Sequence, residues 1–175
     1  MISLRHALPT DEQIIQWSLD NPGVRFEYVN GEITVSPTTG ISGVRQSALN
    51  LKLASWAKAH RYRSFGSSTL FHFGGLKVSP DEVLILAARF DALSPEEKDE
   101  TVLLVPDVAV EVVSRSQGFG KTRGGVLPKC QAMDGVGVGH VVMLDPYATD
   151  PAERVTTWGT PPAAFPNDWD DVLDP

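Results

Sequence analysis

The sequence predicts an α/β protein, a mixed β-sheet flanked by helices, with a helix and a β-hairpin leading in from the N-terminal side. Three observations carry that prediction. Leu103–Ser114 and His140–Leu144 are nearly continuous in apolar residues, as strands covered on both faces tend to be. Asn30-Gly31 separates two alternating stretches and supplies a two-residue turn that tolerates positive φ at both positions. Helical patterns alternate with these strands along the chain, which places helices against a sheet.

Taken in order, Thr10–Asp20 reads as a helix. Thr10 or Asp11 can cap it, and Ile14, Ile15, Trp17 and Leu19 form an uneven apolar stripe. Arg25–Ser36 is the hairpin. A longer helix spans about Val44–His60, turning Leu49, Leu53 and Trp56 inward and its basic residues outward. Strands are expected at Ser64–Phe73, Lys77–Ala88 and Leu103–Ser114, with a short acidic helix or loop at Ser94–Glu100. A glycine-rich stretch follows Ser114, then a short helix near Pro128–Asp134, the strand His140–Leu144 and an edge strand at Arg154–Trp158. The reading is a single domain over residues 1–160 and an acidic, proline-containing tail over 161–175. That tail is expected to be poorly ordered unless a partner holds it.

At 175 residues the chain is long enough to bury a core without covalent staples. Its single cysteine, Cys130, excludes an internal disulfide framework and a cysteine-rich zinc site, and is read as a packing residue. His6, His60, His72 and His140 are scattered without zinc-ligand spacing. No apolar run approaches the ~20 residues of a membrane span. The opening MISLRHALPTDEQ has no signal-peptide core, so the expectation is a cytoplasmic protein with no membrane association.

Net charge is −7, but its distribution is uneven. The acids from Asp145 onward, against the one base Arg154, account for −6 of it. Arg45, Lys52, Lys58, Arg61 and Arg63 form an acid-free basic stretch. That stretch is either a solvated helix face or a set of phosphate contacts hidden by the average charge.

Two acids stand where acids are costly. Glu111 lies within Val108–Val113, an otherwise apolar strand, and Asp81 opens the strand that follows Ser79-Pro80. Side chains alternate along a strand, so Asp81 shares a face with Val83 and Ile85, and Glu111 with Ala109 and Val113. Matched faces would bring the two carboxylates together as hard oxygen ligands suited to Mg²⁺ or Mn²⁺. The residues alone leave open a buried Glu111 paired with an arginine, and an Asp81 that merely follows a turn.

Four segments in order carry a resemblance. Arg25–Glu32 (RFEYVNGE) resembles an "R(Y/F)EL-x-DGE" hairpin, and Ser79-Pro80-Asp81 an "SPD" strand. Pro106–Ser114 (PDVAVEVVS) resembles "PDLVVEVLSPS", and Gly137–Pro146 (GVGHVVMLDP) a "GV-xxx-WVVDP" strand. Together, over roughly Thr10–Trp158, these are similar to the Uma family of restriction-endonuclease-like proteins, a branch of the PD-(D/E)XK nucleases in which Val113 stands at the usual lysine position. The resemblance implies a restriction endonuclease-like fold and metal-dependent cleavage of phosphodiester bonds in DNA. Asp81, Glu111 and the Val112 carbonyl would hold Mg²⁺ or Mn²⁺. Lys129, eight residues before Gly137, would take the catalytic lysine's role, and Glu27 would be an accessory carboxylate. Arg45, Lys52, Lys58, Arg61 and Arg63 would contact DNA phosphates without reading sequence. A homodimer is left open.

The sequence also departs from the family. Gly124-Gly125 and Pro128 imply a lysine-bearing helix that starts only at Pro128, Met133 replaces a tyrosine, and Val142 replaces a tryptophan. The alternative is therefore a catalytically inactive nucleic-acid-binding or protein-interaction module on the same scaffold, with Lys121 or no lysine in the site. Gly118–Thr122 looks like the end of a P-loop but has Arg115 where the first glycine is required.

Overall fold

In the computed structural model, residues 8–37, 40–114 and 122–175 are described. Helix α1 (Asp11–Asp20) begins at a capping box: Gln13 N donates to Thr10 Oγ1 at 3.2 Å, and Thr10 N donates to Gln13 Oε1 at 2.8 Å. Ile14 is buried, and Trp17 packs on Phe26 with ring centroids 5.9 Å apart. Asp11 ties the first turn to Lys77 and His72. The hairpin of β1 (Val24–Val29) and β2 (Glu32–Pro37) turns at Asn30 and Gly31, both with positive φ (52° and 85°), as their sequence requires.

Beyond the hairpin, two of the expected strands divide between two sheets. Ser64–Phe73 becomes β3 (Tyr62–Gly66) and β4 (Phe71–Phe73), and Lys77–Ala88 becomes β5 (Leu76–Val78) and β6 (Glu82–Leu86). Ser79-Pro80 lies between β5 and β6, and proline lacks the N–H that would continue a ladder. The smaller sheet runs β2-β1-β5-β4, with β1 and β5 joined by the single pairing Tyr28↔Lys77. The larger runs β3-β6-β7-β8-β9, with β7 (Val108–Val112), β8 (His140–Leu144) and β9 (Val155–Gly159). Leu103–Ser114 contributes only β7, while Val102 bridges Phe71 of the smaller sheet.

In the larger sheet only β7 and β8 are parallel, and the connection between them contains the lysine-bearing helix, the fifth in chain order. Two short helices precede it, α3 (Ala87–Asp91) and α4 (Pro95–Asp99). Helix α5 then spans Thr122–Gly135, which corrects the expected start at Pro128. Pro128 removes one backbone donor, but Val126, Cys130 and Met133 are buried on one face, so tertiary packing holds the helix through the proline.

Helix α2 (Gly40–His60) covers one face of the larger sheet, placing Leu49, Leu53 and Ala57 against Leu84, Val110 and Val142. Val83, Ile85, Ala109 and Met143 fill the other face beneath α5 and the smaller sheet. The acidic segment after residue 160 is not loose, contrary to expectation. Trp169, Val172 and Leu173, the last two in helix α6 (Asp170–Leu173), are buried in the core beneath α2. Apolar residues concealed among acids anchor this segment, and Arg154 pairs with Asp174 at 2.8 Å. Among the described residues no helix is long and apolar enough to cross a membrane.

Candidate active site

Glu82 pairs with Val110 across β6 and β7, and extending this antiparallel register by one residue sets Asp81 opposite Glu111. Both side chains lie on the face covered by α5 and the smaller sheet. Asp81 Oδ2 accepts from the backbone N–H of Val112 at 2.9 Å, which fixes the carboxylate beside the residue following Glu111. Its Oδ1 accepts from Arg25 Nη1 at 3.1 Å and lies 3.5 Å from Gln46 Nε2.

Lys129 completes the cluster. It projects from the inward stripe of α5, together with Val126, Cys130 and Met133 at helical spacing. Its Nζ lies 2.5 Å from Glu111 Oε1 and donates to Glu27 Oε1 at 2.6 Å. Glu27 Oε1 also accepts from Ser79 N at 2.7 Å, so β1 and the Ser79–Asp81 turn are bound to the same group. Glu111 is fully buried, and its contact with Lys129 is a close ion pair without hydrogen-bond angles. Its Oε2 has no hydrogen-bond partner among the described residues.

Burial pushes the Glu111 carboxyl up to about 8, with Asp81 and Glu27 adding to the rise and Lys129 opposing it. Burial works against the Lys129 ammonium too, but the adjacent Glu111 and Glu27 carboxylates outweigh it and raise its pKa. Arg25 is raised in the same way: burial opposes its charge, and Asp81, Glu27 and Glu111 overcome that opposition. Two cations, Arg25 and Lys129, thus face three carboxyl groups, those of Asp81, Glu27 and Glu111.

Sequence reasoning missed Arg25, Gln46 and the Ser79 backbone. The signal for Arg25 was available, because it is two residues before Glu27 and therefore on the same strand face. Of the basic residues on and after α2, Arg45 donates to Leu173 O (3.3 Å) and Tyr147 Oη (2.9 Å), and Lys52 pairs with Asp171 at 2.6 Å. Arg63 pairs with Asp91 at 2.8 Å. The C-terminal segment thus engages two of the five residues expected to meet phosphate. Lys58 and Arg61 are exposed and form no ion pair among the described residues. Lys121 and Gly118–Gly120 lie outside the described residues.

The family model described as "Putative restriction endonuclease", Uma2, matches residues 11–149. The chain belongs to the Uma2 family. The span that places it among Uma2 proteins contains Arg25, Glu27, Asp81, Glu111 and Lys129. The Uma2 fold is matched by the crystal structure of a "putative nuclease belonging to DUF820" from Anabaena variabilis. The TM-score is 0.60 at 21% identity, over 91% of this chain and 97% of that one. The restriction-endonuclease-like architecture expected from the four motifs is therefore present in this Uma2 protein. No curated protein matches the sequence.

Among the described residues no group of three or more His, Cys, Asp or Glu side chains is arranged to hold a metal ion. The oxygen atoms that the cluster offers are instead those of two carboxylates, Asp81 and Glu111, set on adjacent strands. The buried, unpartnered Oε2 of Glu111 is the atom that most requires a partner. An all-oxygen set of this kind suits Mg²⁺ or Mn²⁺.

Proposed function

We propose that this protein is a divalent-metal-dependent nuclease that hydrolyses phosphodiester bonds in DNA. The observation that carries the reading is the convergence of Asp81, Glu111 and Lys129 in one buried cluster, with a Glu111 oxygen left without a hydrogen bond. Asp81, Glu111 and the Val112 carbonyl would hold the ion. When bound, the ion supplies an activated water and neutralises charge on the scissile phosphate.

The chain's own residues have separate tasks. The Val112 N–H and Arg25 fix the orientation of the Asp81 carboxylate. Lys129, held as an ammonium by Glu27 and Glu111, orients the attacking water and stabilises the developing negative charge. Glu27 is a positioning residue: it keeps the ammonium at the edge of the carboxylate pair through its bond to Ser79 N. The exposed Lys58 and Arg61 are the cations left to contact the phosphate backbone.

The test is nicking of supercoiled plasmid with Mn²⁺, alongside Asp81→Ala and a chelator control. Mn²⁺-dependent nicking that both controls abolish is the expected result. A protein that neither takes up Mn²⁺ nor nicks any DNA offered is instead a binding module on this scaffold.

A further inference from the structure

Three carboxylates surround the place where an anionic phosphodiester has to approach, so the site needs a cation that faces outward. Lys129 does not provide it. Its side chain is 5% exposed and its ammonium is held between Glu27 and Glu111. Arg25 is placed differently. A single nitrogen, Nη1, makes its hydrogen bonds among the described residues, donating to Ser79 O at 3.0 Å and Asp81 Oδ1 at 3.1 Å. Its Nε and Nη2 donate to nothing among the described residues, and the side chain is 18% exposed.

Nε and Nη2 form one of the guanidinium edges that pair side by side with two oxygens of a carboxylate or phosphate. We propose that the Nε–Nη2 edge of Arg25 binds the non-bridging oxygens of a backbone phosphodiester, with Nη1 anchored on Ser79 and Asp81. The inference rests on the nuclease reading and adds to it a substrate-holding residue. Anchoring through one nitrogen aims the fork without consuming it, and sets the bound phosphate beside the carboxylate of Asp81. A lysine at this position could keep one contact to Asp81 but could not present a fork as well.

The test compares wild type with Arg25→Lys and Arg25→Gln. Fluorescence anisotropy reads binding of a labelled DNA duplex, and electron paramagnetic resonance of free Mn²⁺ reads metal uptake. Circular dichroism confirms folding, and the Lys variant decides if the Gln variant fails to fold. Both variants are expected to bind the duplex roughly tenfold more weakly, with a much smaller loss of Mn²⁺ affinity. The Gln variant is also expected to lose about one unit of salt slope.

Unchanged duplex affinity in a folded variant overturns the proposal and leaves the nuclease reading intact. Equal losses of Mn²⁺ and duplex binding also overturn it, because Arg25 would then act only by positioning Asp81. A wild-type protein that binds neither Mn²⁺ nor duplex removes the nuclease reading, and this inference with it.

Discussion

Glu111→Gln tests the electrostatics of the site most directly, since it removes a charge and keeps the shape. Glu111 is wholly buried and its carboxyl is raised to about 8, whereas an unfolded chain ionises it near 4.5. Between those values the folded protein retains a proton that the unfolded chain has released. Metal-free wild type should therefore lose stability as pH rises, at a limiting slope of about 1.4 kcal/mol per pH unit for one proton. The Gln variant has no such titration. Its stability relative to wild type is expected to be near zero at pH 5, to climb by about 1 kcal/mol per unit, and to level off above pH 8.

Glu82, buried on the α2 face and raised to about 7 mainly by burial, titrates in both proteins and drops out of the difference. Urea denaturation in the presence of chelator at pH 5, 6, 7 and 8 measures the effect. A difference that stays flat over this range would show that Glu111 ionises normally in the folded state. A variant several kcal/mol less stable at every pH would make Glu111 an indispensable partner of Lys129.

Further outcomes follow from the same geometry. Lys129→Met should cost about 3–5 kcal/mol at pH 7, because Glu27 loses its buried cation. Adding Glu27→Gln should restore much of that loss in a double-mutant cycle, and additive losses would refute the pairing. Leu173→Ala should destabilise by about 2–5 kcal/mol in denaturant titrations, because the C-terminal helix is part of the core. A loss below about 1 kcal/mol would match surface residues instead. Gly159→Ala should lower the melting temperature, its backbone strain alone costing about 1–3 kcal/mol. Gly159 has a φ of 73°, and an added Cβ would lie 2.2 Å from the carbonyl oxygen of Gly139.

The sequence was most legible where local and tertiary preferences agreed. Asn30-Gly31 and the apolar run His140–Leu144 specify their elements without help from the rest of the chain. The meeting of Asp81 and Glu111 was legible for a related reason: a carboxylate in an apolar strand needs a compensating partner, and period-two alternation gives its face. Lys129 could be placed only by resemblance, because nothing local to α5 shows that one of its inward residues should be charged. The division of Ser64–Phe73 and Lys77–Ala88 between two sheets was not legible, since alternation continues while the chain changes partners. The C-terminal segment was misread for a compositional reason. Its acids dominate the average, while Trp169, Val172 and Leu173 determine where it lies.

The single pairing between β1 and β5 has a consequence for how the molecule opens. Besides Tyr28↔Lys77, the burial of Val29 in the core and the packing of Trp17 on Phe26, the hairpin is attached through its own site residues, Arg25 to Ser79 and Asp81 and Glu27 to Ser79 and Lys129. It is therefore a natural unit of sub-global unfolding, able to detach while the larger sheet stays folded. The charged groups of the candidate active site contribute to the free energy of that opening. Hydrogen exchange in the Val24–Pro37 amides then reports on the state of those groups, and a ligand held between Arg25 and Asp81 would slow it while leaving exchange in β7 and β8 unchanged.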